Sequence, residues 1–302
     1  MAFLRTSTDL TVYRINDPAA VTADKLKRHA FRPIDDLTTE EIAVGWTNID
    51  DMLDTAWALS VPEKGEWLCF TFRRDKRSIP GAALKKLYAE ALKNEKESIP
   101  EQKIISRKRK AELKEQVKLR MLPNIEPSPA LVDVALNMHS GVLLVSCSAK
   151  GLLANFEELM SNTFGVELQQ AEASADVQAI LRGLYHESLQ VAYSDFTYQL
   201  SEAGHITLAG TNDDGDVQIV VKNDRSSVDA GLASGLSITK LKLSMERDDG
   251  LSWIFRLNSS MSFSGLKSPA TEATGKDEAA LLEKLYLIEQ AVGVIWKIFG
   301  VN

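Results

Sequence analysis

Cysteine and histidine are scarce in this chain: Cys69 and Cys147 are the only thiols, and the imidazoles are confined to His29, His139, His186 and His205. Neither cysteine has a second thiol or a histidine at ligand spacing, so no zinc site is expected. Each lies in an apolar run, Trp67-Leu68-Cys69-Phe70 and Leu144-Val145-Ser146-Cys147, where a thiol acts as a small core residue. Long apolar runs are also missing. The richest, residues 279 to 301, is broken by Glu283, Lys284, Glu289 and Lys297 and reads as an amphipathic helix, not a membrane span. The opening Met1-Ala2-Phe3-Leu4-Arg5-Thr6-Ser7 lacks a secretory pattern, so a cytoplasmic protein without a membrane partner is expected.

Catalytic signatures are missing as well. The sequence contains no Gly-x-x-x-x-Gly-Lys-Ser/Thr loop, no Gly-x-Gly-x-x-Gly fingerprint and no Gly-x-Ser-x-Gly elbow. Asn212-Asp213-Asp214-Gly215-Asp216 resembles part of a calcium loop, but the twelfth position of that register is Val221, and a tight turn explains it. Glu101-Gln102-Lys103 has the letters of a nuclease motif but follows a proline at the head of a basic helix. No metal, cofactor or catalytic residue is expected.

What is present is an uneven charge. The 302 residues carry a net charge of -7, yet the segment from Arg73 to Arg120 holds sixteen Lys or Arg against seven Asp or Glu. That segment stands at +9 and the remainder at -16. A charged helix is commonly just a solvated face. Here the charge is one-sided: at 100 degrees per residue Lys103, Arg107, Lys110, Lys114 and Lys118 fall within about 80 degrees of one another. Arg107-Lys108-Arg109-Lys110 runs without an intervening acid, and Arg73-Arg74-Asp75-Lys76-Arg77 precedes it. Such a surface suits phosphate backbones, which need ammonium and guanidinium groups to displace counterions and no base contact. The candidate phosphate contacts are Arg73, Arg74, Lys76, Arg77, Lys85, Lys103, Arg107, Lys108, Arg109, Lys110, Lys114 and Lys118. Few aromatics interleave with them, which favours a duplex over stacked single-stranded bases.

Apolar residues at 44% provide for a substantial core. Strands are predicted over residues 8 to 15, half-buried, and 66 to 72, buried on both faces; 42 to 57 reads mostly as loop. A short helix is predicted from Asp17-Pro18 to Ala30. Ser78 is the candidate cap of a helix carrying Leu84, Leu87, Tyr88, Ala91 and Leu92, followed by a basic helix from Glu101 to Met121. Three prolines in residues 122 to 129 mark a boundary. Beyond it are predicted strands 130 to 137 and 141 to 147, a helix ending at Gly165, a helix over 177 to 186, five strands between His205 and Leu266, and a closing helix from about Asp277 to Phe299. The fold class is α+β, with mixed antiparallel sheets and helices. The expected division is residues 1–72 with 130–200 as a central region, 73–129 as a basic helical region, and 201–302 as a β region with its terminal helix. That helix, through Leu281, Leu282, Leu285, Ile288, Val292 and Ile295, suits either the core or an interface.

The order Gly45-Trp46, Arg77-Ser78-Ile79-Pro80, Leu84-Lys85, a basic helix ending in Met121-Leu122-Pro123, then Leu143-Leu144-Val145-Ser146-Cys147-Ser148-Ala149 resembles the recombination-associated RdgC family. Ile238-Thr239-Lys240-Leu241-Lys242-Leu243, Ile254-Phe255-Arg256-Leu257 and Gly265-Leu266-Lys267 are similar to its C-terminal β region. The resemblance implies a ring-forming homodimer that encircles double-stranded DNA without sequence preference, associates with the nucleoid and limits recombination by the RecA recombinase. It also implies a non-enzymatic role, although the family is sometimes labelled an exonuclease. Asn124-Ile125-Glu126-Pro127 and Gly210-Thr211-Asn212-Asp213-Asp214 stand where some relatives carry basic residues, which shifts the expected DNA affinity toward residues 73 to 120. Two other readings compete: a DNA exonuclease, and a module whose basic helix meets an acidic protein.

Overall fold

A computed structural model describes the chain except residues 36, 99–103, 213–214, 274–277 and 302. In chain order come β1 (Thr8–Arg14), α1 (Ala23–Arg28), β2 (Ile42–Thr47), β3 (Glu63–Lys64), β4 (Trp67–Lys76), α2 (Gly81–Glu97) and α3 (Arg107–Met121). Next are β5 (Ser128–Asn137), β6 (Val142–Val145), α4 (Lys150–Phe164), β7 (Gln169–Gln170), α5 (Val177–His186), β8 (Leu189–Tyr193), β9 (Phe196–Asn212) and β10 (Gly215–Lys222). The chain ends with α6 (Arg225–Ala233), β11 (Ser237–Arg247), β12 (Ser252–Asn258), β13 (Phe263–Lys267) and α7 (Glu278–Phe299).

The α+β class is borne out: strands pair antiparallel in the order β10-β9-β11-β12-β13-β1-β6-β5-β4-β2. β1 joins the halves, pairing β13 through Thr8 and Leu10 and β6 through Thr11 to Arg14. It is buried on both faces and not half-buried as its sequence suggests, because each face meets a different core. Leu10 and Val12 pack with α5 and α7, whereas Tyr13 packs with α4. The helix α7 is apolar nearly all round, and Leu281, Leu285, Ile288, Val292 and Ile295 are all buried within this chain. Of its two sequence readings, the core is the one realised.

The second core gathers around Trp46, whose ring meets Phe70 at 5.2 Å, Phe164 at 5.8 Å and Phe156 at 6.1 Å between centroids. Its Nε1 donates to Thr163 Oγ1 at 3.0 Å, satisfying the indole in a fully buried site. The first part of the stretch read mostly as loop, Ile42–Thr47, is therefore the strand β2, and residues 48–57 are loop as expected. Gly45 makes this possible: the backbone of Phe31 comes so close that an added Cβ would lie 2.3 Å from Phe31 Cα. Backbone cannot give way as a flexible side chain can. Gly45→Ala is therefore expected to destabilise the protein by about 2 to 3 kcal/mol in chemical denaturation.

Other boundaries shift for local reasons. The predicted helix to Ala30 shortens to α1, capped by Thr22, whose side chain accepts from the Lys25 amide. Pro80, not Ser78, occupies the cap of α2, and Ser106 caps α3, which begins later than expected. Gly165 terminates α4 at φ 71°, as its position predicts. Both cysteines are buried and free. No helix among the described residues is long and apolar enough to cross a membrane.

Candidate nucleic-acid interface

The basic segment is an insertion in a β-hairpin. β4 and β5 pair without interruption from Trp67↔Asn137 to Lys76↔Ser128, so the chain leaves the sheet at Lys76 and returns beside it at Ser128. Between them α2 and α3 form a helical hairpin. Leu113 and Val117 of α3 are buried, while Leu84, Leu87, Tyr88, Ala91 and Leu92 of α2 are only partly covered.

This arrangement sorts the candidate contacts. Arg77 is turned inward and only 2% exposed. Its Nε donates to the Ile125 carbonyl at 3.1 Å, Nη1 to Thr38 O at 2.8 Å and Nη2 to Asp35 O at 3.4 Å. It ties both ends of the insertion to the loop before β2 and cannot reach a phosphate. Arg73 is likewise committed: it forms a bidentate pair with Asp75 at 2.8 and 2.7 Å and stacks on Phe31 at 4.2 Å. Arg74 donates to Asn155 Oδ1 at 3.2 Å across to α4. The reading of Arg77 and Arg73 as phosphate contacts is corrected by these partners, because their side chains are spent on the fold, whereas Arg74 is half-exposed and held by neutral acceptors. Lys76, the fourth cation of that run, is exposed.

On α3 three members of the predicted basic face, Arg107, Lys110 and Lys114, stand in solvent. Arg107, Lys108, Lys110 and Lys114 are exposed and have no hydrogen bond or ion pair through their side chains among the described residues. Lys118 is half-exposed and pairs with Glu115 at 3.2 Å. Lys85 on α2 is exposed. Lys103, and Glu101-Gln102 beside it, lie outside the described residues. Arg109 points the other way, into the seam with α2, where it holds Glu95 through Nε at 2.6 Å and Nη2 at 3.1 Å and also reaches Glu112 at 3.4 Å. The Arg109 hydrogen bonds hold the Glu95 carboxyl below the usual carboxylate range. Stability from this pair is present above the ordinary carboxylate pKa and is lost as pH falls through the lowered one.

The first turn of α3 has no acidic residue and begins Arg107-Lys108-Arg109-Lys110. Cations there oppose the helix dipole, by about 0.3 to 1 kcal/mol for each close charge. An anion docked at this end relieves that repulsion and meets the helix's positive pole together. Arg109→Gln is expected to lower duplex affinity less than Lys110→Gln does, since Glu95 already neutralises Arg109; fluorescence anisotropy with labelled DNA checks the order.

A family profile described as "Putative exonuclease, RdgC" matches residues 8–268. The chain belongs to the RdgC family. A curated relative from Burkholderia cenocepacia, named "Recombination-associated protein RdgC", is 26% identical over 186 residues, 58% of this chain and 57% of that protein. The aligned part thus spans a little over half the length of that relative. The span matched by the RdgC profile takes in β1 through β13, with the whole helical hairpin, and ends just before α7. Among the described residues no group of three or more His, Cys, Asp or Glu side chains is placed to hold a metal ion.

The RdgC span also holds cations that the search for charge runs misses: Lys222, Lys242, Arg256 and Lys267 line one depression on the sheet. They are single charges on four different strands. The available signal is alternation, as in Lys240-Leu241-Lys242-Leu243 and Ile254-Phe255-Arg256-Leu257, where every second residue leaves the core.

Proposed function

We propose that this protein binds double-stranded DNA without sequence preference and, as a homodimeric clamp or ring, limits access of the RecA recombinase to DNA, without itself being an enzyme. The observation that carries the reading is the outward face of α3: Arg107, Lys108, Lys110 and Lys114 stand exposed on an element offset from the sheet, in a chain that is otherwise acidic. Charge concentrated this way attracts a polyanion to one surface, and the acidic remainder discourages it elsewhere. Recombination association follows from RdgC family membership and from the name of the Burkholderia relative.

Support for a second copy comes from surfaces the monomer leaves uncovered. The apolar stripe of α2 is half-exposed, and β10 ends the sheet with Ile219 and Val220 exposed at 39% and 55%. The main apolar face of the terminal helix is buried in its own chain and does not supply that contact.

Binding to linear and closed circular duplex, compared at rising salt, tests the clamp. A ring persists on circles and slides off linear ends; equal release from both removes the encircling mode and leaves simple surface binding. If about six phosphates are neutralised, log affinity falls against log salt with a slope near -5. The exonuclease reading, favoured by the wording of the family description, expects end-labelled duplex to shorten with magnesium or manganese. The acidic-partner reading expects no gel shift with DNA at moderate salt.

A further inference from the structure

A row of positive charges crosses the solvent-facing side of the sheet between β10 and β13. Lys222 pairs directly opposite His205 in the β10–β9 ladder, and Lys242 directly opposite Arg256 in the β11–β12 ladder. Like charges in directly opposite cross-strand positions, as Lys242 and Arg256 are, destabilise a sheet. Lys222, Lys242, Arg256 and Lys267 make no side-chain hydrogen bond or ion pair among the described residues, so nothing in the fold offsets that repulsion.

The backbone shapes a recess where they meet. β9 shifts register against β11 around Gly204, and β13 shifts against β12 around Gly265. Gly204 and Gly265 have φ of 76° and 61°, and Asn223, on the rim, has φ of 52°. Bulges bend a strand and re-aim its side chains. Between the two lies a depression of about 580 Å³ whose lining includes Ser7, Ser264 and Asn223 as well as the cations, and no carboxylate. The nearby acids are already engaged: Glu202 accepts from the Gly204 amide, and Asp9 accepts from the Gly265 amide at 2.8 Å and from the Ser148 hydroxyl at 2.9 Å. Burial, then Arg256, Lys222 and Lys242, push the His205 imidazole below its ordinary value, which fits a recess crowded with positive charge.

We propose that this recess is a second, separate phosphate-binding site, built to hold two or more adjacent phosphate groups through Lys222, Lys242, Arg256 and Lys267. Four cations without a carboxylate match a ligand of several negative charges better than a single carboxylate, and the serine and asparagine side chains supply neutral hydrogen bonds to the remaining oxygens. The phosphates belong either to a polynucleotide backbone or to a free di- or triphosphate. The site does not depend on the helical hairpin.

Calorimetric titration of the full chain with inorganic pyrophosphate, and separately with a short duplex, tests this in wild type, in a Lys242→Gln/Arg256→Gln variant and in an Arg107→Glu/Lys110→Glu/Lys114→Glu variant. Saturable pyrophosphate binding that weakens at least about tenfold in the sheet variant but survives in the hairpin variant supports the site and assigns it to free phosphates. Duplex affinity that falls about tenfold in the sheet variant, with no pyrophosphate binding in wild type, supports it and assigns it to a backbone. Unchanged binding of both ligands in the sheet variant overturns it. The sheet variant removes a repulsion and should melt no lower than wild type; should it misfold, Lys222→Gln/Lys267→Gln, on the outer strands, gives the same readout. The hairpin variant keeps the two ideas apart: full duplex affinity there counts against the proposed interface on α3 and leaves the recess to be judged by pyrophosphate.

Discussion

Reversing charge at Arg107, Lys110 and Lys114 together is expected to reduce duplex affinity by at least about a hundredfold at moderate salt while leaving the thermal midpoint almost unchanged. These side chains are exposed and have no side-chain partner among the described residues, so glutamate there breaks no contact of the fold. Three lost phosphate contacts should flatten the dependence of log affinity on log salt by about 2.7, to which the repulsion from three new carboxylates adds. The helix keeps its Ser106 cap, and the new acids at 107 and 110 lie in the first turn of α3, where they favour the dipole that the native cations oppose. Anisotropy titrations at several salt concentrations, with thermal melts in parallel, provide the check. Wild-type affinity and slope in the triple variant would refute the assignment of this face.

The opposite profile is expected at Arg77. Arg77→Met should lower stability by about 3 kcal/mol or more in denaturant unfolding. The substitution removes a buried guanidinium and takes from the part-buried carbonyls of Ile125 and Thr38 the donor that joins their two segments. Arg77→Lys should recover little, because one ammonium on a flexible stem cannot reproduce a planar fork that serves carbonyls from separate segments. Hydrogen exchange should locate the first loosening at the root of the helical hairpin and in the segment before β2. Any fall in DNA affinity should then scale with the folded fraction, which separates a positioning role from direct contact. A stable Arg77→Met protein would show that the root is held chiefly by the ladder between β4 and β5.

The contrast between these residues explains what could be read from the letters alone. The helices α4 and α5 were legible because their apolar spacing is regular and their ends carry Gly165 and Asp176. The strand β2 was not, since its first residues Ile42 and Val44 face outward and its burial rests chiefly on Trp46. The strand β8 and the start of β9 gave little pattern because β8 sits at an edge with most of its residues exposed, and α6 is short and polar. Charge counting located the basic hairpin correctly but could not tell Arg77 from Lys110. The partners of Arg77 include backbone carbonyls up to 48 residues away, and carbonyls have no letter in a sequence. The sheet cations are hidden for the converse reason: only strand pairing brings Lys242 to Arg256.

Because Lys76 and Ser128 are partners in one ladder, the helical hairpin enters and leaves the sheet through a doorway one strand spacing wide. Whatever lies beyond that doorway can lengthen, shorten or turn over its surface while both cores stay put, since each doubling of such an excursion costs only about 0.6 kcal/mol of closure entropy. The same scaffold can thus be fitted with arms of different reach, and grip can diverge among kindred proteins faster than architecture does.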